Sequence, residues 1–328
     1  MTIDVSVIIP CYNEETTIGL VLDALYQQTF PKDRFEVIIA DGMSPDSTRS
    51  LITEFYHDHP GLSITIVDNV SRSIPSGLNL AINNSSGRYI IRLDAHAIPD
   101  NIYIANCVEL LEAGAGDNVG GMWIIKPGEE NWQAKSIAEA ASHPLAVGDA
   151  HYRLGSEAQA VDTVPFGAYH RDIFSRIGGY DEALLTNEDY EFNVRIRQTG
   201  GVIWFDPKLR TTYIARSNFR ELARQYWRYG YWKARMIKNY PNSLRWRQLL
   251  PPSFVLSLFV LLLAGIFVPL AWVLLAIEIG VYLLVLLLAG IIGSFQKKYI
   301  GFTLGLPTAI ITMHVSWGTA FLFSLFQK

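Results

Sequence analysis

The chain has 328 residues, 50% apolar and 18% charged, with a net charge of −4. That composition excludes a disordered chain, the glycines follow no three-residue period, and two cysteines are too few for a disulfide scaffold. The charge is unevenly spread: residues 1–215 carry 15 Lys and Arg against 29 Asp and Glu, whereas residues 216–247 carry nine against Glu221 alone. Length allows roughly two structural units. Cys11 and Cys107 form no CxxC pair, so no zinc site or redox motif is expected. The opening MTIDVSVIIP has no basic stretch before its apolar run, which argues against a cleaved leader.

Asp4–Pro10 reads as a buried strand and Glu15–Gln28 as an amphipathic helix that stops before Pro31. Phe35–Ala40 is a second strand. Asp46–His57 is a helix opened by the turn Ser44-Pro45-Asp46. Ser63–Val67 and Arg88–Leu93 are the third and fourth strands. This alternation predicts an α/β domain with a mostly parallel sheet and helices on both faces. Such sheets bind ligands at the carboxyl ends of their strands.

Residues 216–247 interleave their basic residues with Tyr226, Trp227, Tyr229, Tyr231, Trp232, Tyr240 and Trp246. That mixture suits single-stranded nucleic acid or an anionic lipid surface. The sequence downstream decides for the membrane, and no nucleic-acid partner is expected. From Leu249 to Gly293 the only charge is Glu278. The run is too long for one span and right for two, near 254–268 and 270–292, divided at Pro269. A third span is expected near 300–323, after the polar stretch Ser294–Lys298. The expected layout is an α/β domain over 1–215, interfacial helices over 216–248 and a transmembrane region over 249–328. The positive-inside rule puts the basic belt and Lys297-Lys298 on the cytoplasmic face, and three crossings put Lys328 opposite. The N-terminal domain then faces the cytoplasm from a multi-pass position in the cytoplasmic (inner) membrane. Glu278 and His314 are ionisable groups within the spans, where such groups often mark function.

Three carboxylates sit where predicted strands end: Glu14, Asp41 and Asp94. One would be an ordinary helix cap. Three at one edge make an acidic crevice suited to a divalent cation, ribose hydroxyls and base N–H groups. Neither GxGxxG nor GxxxxGK[ST] is present, so those phosphate cradles are excluded. Asp94-Ala95-His96 offers a carboxylate and an imidazole two residues apart, a set that suits Mn²⁺ better than Mg²⁺. Taken alone, the tripeptide is equally a helix-initiating acid followed by a surface histidine.

Longer motifs resolve that ambiguity. VSVIIPCYNEE (Val5–Glu15), DGMSPDST (Asp41–Thr48) and RSIPSGLNLAINNSSGRYIIRLDAH (Arg72–His96) are followed by VDTVPFGAY (Val161–Tyr169), GGYDEALLTNEDYEFNVRIR (Gly178–Arg197) and QYWRYGYWK (Gln225–Lys233). Together they resemble the family 2 glycosyltransferases of the GT-A fold, in particular the succinoglycan-type, ExoA-like membrane-bound subgroup. The resemblance implies that Pro10, Tyr12, Asn13 and Glu14 cup the nucleotide, that Asp41 reads the base, and that Arg72 lies near the nucleotide or diphosphate. It puts Asp94 and His96 in the place of the DxD metal motif, with His96 replacing the second acid. Asn187-Glu188-Asp189 matches the motif that holds the catalytic base of inverting members. Asp189 takes that role by position, with Glu188 beside it. Gln225–Tyr229 resembles the QxxRW motif, with Tyr229 in place of Trp. Gln225 and Arg228 share a helical face, and Arg228 would neutralise the diphosphate while Tyr229 or Trp232 stacks on an acceptor.

The implied activity is transfer of a sugar, from a UDP-sugar first, to a hydroxyl of a lipid-linked acceptor in exopolysaccharide or related glycan assembly. The implied cofactor is a divalent metal, Mn²⁺ before Mg²⁺. Processive polysaccharide synthesis and transfer to a polyprenyl phosphate are the alternatives within the class. A sugar-nucleotide-binding membrane scaffold without activity is the alternative outside it.

Overall fold

The computed structural model describes residues 3–327, the Asn242 side chain excepted. Its strands in chain order are β1 (Val5–Cys11), β2 (Phe35–Asp41), β3 (Ser63–Asp68), β4 (Tyr89–Arg92), β5 (Ala97–Pro99), β6 (Asn118–Lys126), β7 (Gln159–Ala160), β8 (Ala168–His170) and β9 (Ile203–Ile214). Its helices are α1 (Ile18–Tyr26), α2 (Thr48–Asp58), α3 (Ile74–Asn83), α4 (Tyr103–Glu112), α5 (Trp132–Ala141), α6 (Pro144–Val147), α7 (His151–Leu154), α8 (Asp172–Ile177), α9 (Glu188–Gln198), α10 (Phe219–Asn239), α11 (Trp246–Ala264), α12 (Pro269–Lys297) and α13 (Phe302–Leu325). The chain divides into two units, Met1–Ile124 with Ala150–Tyr213, and Ile125–Asp149 with Ile214–Lys328.

The first unit is built on one sheet. Among the described residues its order is β3-β2-β1-β4-β8-β6-β9-β5, with β7 on β9. The first four strands are parallel, with Val5 opposite Phe35 and Cys11 opposite Asp41. The unbroken β-branched runs of β1 and β2 fit strands covered on both faces. Their side chains alternate: Val7, Ile9, Val37 and Ile39 enter one core, and Ile8 and Ile38 enter the other. Helices α1, α2 and α4 close the first face with Leu22, Ile52 and Ile104; α3 and α9 close the second with Leu78 and Phe192.

Beyond Leu93 the sequence pattern suggests no strand, yet five follow. Three of them have only two or three residues, too short for an alternation to show. β6 carries Gly120-Gly121 as its third and fourth residues, and a Cβ on Gly121 would lie 1.8 Å from the Leu209 carbonyl oxygen. Close backbone approach, not side-chain pattern, defines that strand. β8 pairs antiparallel with β4 and β6, which reverses direction next to the parallel half.

The second unit is helical. Among the described residues α11, α12 and α13 are long and apolar enough to cross a membrane. α11 begins at Trp246 and takes Pro251 and Pro252 into its second turn, so it starts earlier than hydropathy suggests. α12 and α13 run antiparallel: Ser294 bonds Thr303 at 2.8 Å, and Tyr282 Oη lies 3.0 Å from His314 Nδ1. Glu278 bonds Ser257 at 2.5 Å, so the two ionisable groups of this region have different partners. Small residues allow close helix crossings: a Cβ on Gly230 would meet the Trp317 carbonyl oxygen at 2.2 Å, and one on Gly318 the Pro251 carbonyl oxygen at 2.5 Å. Gln327, just past α13, accepts from Lys238 Nζ through its carbonyl and from Tyr231 Oη through its side chain, both at 2.9 Å. Lys328, placed by the sequence on the opposite face, lies outside the described residues.

Candidate active site

Most of the residues singled out by the sequence gather at the carboxyl edge of β1, β2 and β4. After β1 the chain turns at Asn13, whose φ of +56° is left-handed. The turn is held from the next loop: Asn13 N–H donates to Ser44 Oγ and Glu14 N–H to Thr48 Oγ1, each at 2.9 Å. Met43 after β2 and Arg72 after β3 are also left-handed, at φ +60° and +55°. A left-handed non-glycine costs on the order of 1 kcal/mol, and such strain collects at functional sites. Three adjacent strand ends carry one each. The Arg72 guanidinium lies 5.7 Å over the Tyr12 ring, and Tyr12 is otherwise exposed.

Asp41 is fully buried at the end of β2. Its two oxygens accept from Ser44 N–H at 3.0 Å and Ser44 Oγ at 2.6 Å, and Arg49 Nη1 lies 3.6 Å away. Asp41 therefore holds the shape of its own loop, a role that the sequence does not anticipate beside base reading.

Glu14 and His96 meet. Glu14 Oε1 is 3.0 Å from His96 Nδ1, and Oε2 accepts from Thr17 Oγ1 at 2.6 Å. Burial raises the Glu14 pKa, but the bonds from His96 and Thr17 outweigh it and leave the carboxyl below its ordinary value. The His96 ring is 6.0 Å from the Tyr213 ring. Tyr213 stands opposite Ala97 in the β5–β9 ladder, so the sheet itself backs the Asp94–His96 segment.

Asp94 and Glu188 meet through a residue that the sequence reading passed over. Arg92 Nη2 is 3.1 Å from Asp94 Oδ1 and 2.7 Å from Glu188 Oε1. Glu188 opens α9 after Asn187, which is left-handed at φ +68°. Asp189 accepts from the Tyr190 N–H at 2.7 Å. Burial raises the pKa of both Glu188 and Asp189, with the Arg92 charge acting against it. The signal for Arg92 was available. It alternates with Ile90 in RYIIRL and so falls on a face where an apolar side chain is expected.

Among the described residues no three His, Cys, Asp or Glu side chains gather into a metal site of their own. Asp94 and His96 would supply one oxygen and one nitrogen ligand. That set fits a divalent ion whose other positions are filled by phosphate oxygens and water.

Gln225, Arg228, Tyr229 and Trp232 lie in α10, in the second unit. Gln225 Nε2 donates to Tyr229 Oη at 2.9 Å, so these two are joined along one helical face. The Trp232 ring sits against Tyr231, with the Arg235 guanidinium 5.7 Å away.

Residues 6–178 match the family model described as Glycosyl transferase family 2. The chain is 28% identical over 318 residues to the succinoglycan biosynthesis protein ExoA of Rhizobium meliloti, covering 96% of this chain and 93% of that one. It is 28% identical over 270 residues to a dolichyl N-acetyl-alpha-D-glucosaminyl phosphate 3-beta-D-2,3-diacetamido-2,3-dideoxy-beta-D-glucuronosyltransferase of Methanococcus voltae, covering 80% and 83%. A mannosyltransferase from Pyrobaculum calidifontis, solved in complex with GDP-Man and Mn²⁺, matches with a TM-score of 0.64 at 22% identity, covering 100% and 88%. At that identity the likeness is one of fold.

Proposed function

The chain belongs to glycosyltransferase family 2 and is a glycosyltransferase; from that premise we propose that it transfers a sugar, with inversion, from a nucleotide sugar to a hydroxyl of a lipid-linked acceptor. The observation that carries this reading is the joining of Asp94 to the α9 acid pair through Arg92, at the edge where Glu14 and His96 also meet. Donor-side groups and a base are thereby assembled in one place. Glu188 is tied to Arg92, whereas Asp189 is bonded by a backbone N–H. Asp189 takes the acceptor proton as the hydroxyl attacks the anomeric carbon opposite the leaving diphosphate. Glu188 supports the pair.

Pro10, Tyr12, Asn13, Glu14, Asp41 and Arg72 form the nucleotide side in this proposal. A UDP-sugar is the first donor to try and a GDP-sugar the second, since solved relatives of the fold hold UDP-GlcNAc and GDP-Man. Asp94 and His96 would hold a divalent metal, Mn²⁺ before Mg²⁺, which supplies positive charge for the departing diphosphate. Gln225 and Arg228 are proposed for the diphosphate, and Tyr229 and Trp232 for the acceptor, on the resemblance of their motif. The lipid-linked acceptor is favoured by the apolar helices and by the dolichyl-linked substrate in the archaeal relative's name. Exopolysaccharide assembly is favoured by the succinoglycan relative. The basic belt supports a position at the cytoplasmic face of the inner membrane.

A hydrolysis screen of the purified full chain against UDP-, GDP- and dTDP-sugars, with Mn²⁺, Mg²⁺ or EDTA, tests the reading. Release of one nucleoside diphosphate, lost in EDTA and restored best by Mn²⁺, is expected. No release from any donor would remove the proposal, and full rate in EDTA would remove the metal.

A further inference from the structure

Arg92 is the last residue of β4 and only 3% exposed. Its guanidinium joins segments far apart in the chain. Nη2 reaches Asp94 Oδ1 and Glu188 Oε1, and Nε lies 3.3 Å from the same Asp94 oxygen. The cation sits 5.8 Å over the Tyr180 ring. Its backbone N–H donates at 2.9 Å to the carbonyl of Gly167, which with Phe166 forms a turn of two left-handed residues. Among the described residues the buried Nη1 has no hydrogen-bond partner. A buried guanidinium with one unsatisfied nitrogen is costly. A cross-link serving stability alone is replaced at little cost by apolar residues of similar volume.

We propose that Arg92 is a positioning residue of the transfer reaction, fixing the donor-side carboxylate Asp94 against the acid pair of α9 and reserving Asp189 for the proton by holding Glu188. This rests on the proposed glycosyl transfer. Two features of the side chain suit the task. One nitrogen bridges two carboxylates while a second nitrogen of the same rigid plane steadies one of them, which a lysine ammonium on a flexible stem cannot reproduce. The same contact occupies Glu188, so one of two adjacent acids is engaged before substrate arrives. Without Arg92, Glu188 would be an uncompensated carboxylate beside Asp189, and the base would have a competitor for the proton.

The claim predicts a pattern of non-additivity. Arg92→Met, Glu188→Gln and the double variant are compared in the full-length enzyme in detergent. The reaction is hydrolysis of the sugar nucleotide that the wild-type enzyme cleaves, where water takes the acceptor's place. Arg92→Met should lower kcat at least tenfold per folded molecule. Glu188→Gln should cost less. The double variant should be faster than Arg92→Met alone, because the uncompensated acid is gone. Arg92→Lys should fall between wild type and Arg92→Met in kcat. Losses that multiply in the double variant, or an Arg92→Met enzyme with wild-type kcat and only a lower melting temperature, would overturn the proposal. If Arg92→Met does not fold, the same comparison is made with Arg92→Lys, where multiplied losses again overturn it. A wild-type enzyme that cleaves no sugar nucleotide overturns the functional reading and this inference together, whereas cleavage with independent losses overturns this inference alone.

Discussion

Glu188 and Asp189 are neighbours in sequence with different surroundings. Glu188 is ion-paired to Arg92, and Asp189 is bonded by the Tyr190 N–H. Asp189→Asn keeps the shape and the accepting oxygen but cannot take a proton. General-base catalysis contributes roughly 10²–10⁴-fold, so turnover should fall within about that range while donor affinity, measured by calorimetry, barely changes. A helix-capping role would instead lower stability by ~1 kcal/mol and leave turnover per folded molecule intact. The pH dependence has a fixed sign. Burial raises the Asp189 pKa from its ordinary value of 3.8, so kcat/KM should fall as pH drops through that raised value, not through the ordinary one. The folded protein also binds this proton more tightly than the unfolded chain does. The group therefore favours folding at low pH and costs stability as pH rises through its folded value. Activity and melting temperature should move in opposite directions across that window. A rate that stays flat down to the ordinary carboxylate range would exclude Asp189 as the base. The acid pair was legible from its motif in the sequence. Arg92 left a signal too, a charge on a strand face where an apolar side chain is expected, but its role shows only once the partners of that charge are known.

At the scale of elements, the turn before β8 shows how a loop supports the site. Gly167 has φ +82°, and a Cβ there would lie 2.4 Å from Tyr169 Oη and 2.5 Å from Asn118 Oδ1. Gly167→Ala combines backbone strain with overpacking and should cost about 2–4 kcal/mol. Gly61 has φ +104° with nothing near its would-be Cβ, so Gly61→Ala should cost only the strain, about 1 kcal/mol. Thermal unfolding of the two variants in the same detergent compares them; equal losses would mean that the crowding at Gly167 relaxes. The Gly167 carbonyl accepts the Arg92 N–H, so this turn also bears on the site. The four parallel strands could be read in advance because each carries β-branched apolar residues between turn signals. The antiparallel half could not. β5, β7 and β8 are short, β6 carries two glycines and β9 is interrupted by Pro207, and the short strands take their register from partners on β4 and β9, not from their own alternation.

For the molecule as a whole, we propose a membrane topology from the helix ends that meet. Three crossings in turn would separate the end of α13 from the basic belt. Contacts within the second unit bring them together, since the Gln327 carbonyl accepts from Lys238 and its side chain from Tyr231. α10 carries Arg220, Arg224, Arg228, Lys233, Arg235 and Lys238. Each such charge costs ~2.5–3.5 kcal/mol at the centre of a bilayer, so α10 is expected on the belt side and Gln327 with it. α13 starts beside the last turn of α12, where Ser294 bonds Thr303, and farther along Gly318 lies against Pro251 near the start of α11. In this proposal α11 and α12 cross as a hairpin whose tip is at Phe267, which is 85% exposed. α13 is long and apolar enough to cross, yet both of its ends meet segments on the belt side. Hydropathy and the charge rule weigh each segment alone, so neither registers the contact between residues 238 and 327. Single cysteines at Ser294, Gln327 and Phe267 test the arrangement with a membrane-impermeant thiol reagent on sealed vesicles of known orientation. The native thiols should stay silent, because Cys11 and Cys107 are buried and burial pushes both pKa values up, away from the reactive thiolate. Positions 294 and 327 should label from one side and 267 from the other. Labelling of 294 and 327 from opposite sides would separate Gln327 from Lys238 and show that α13 crosses.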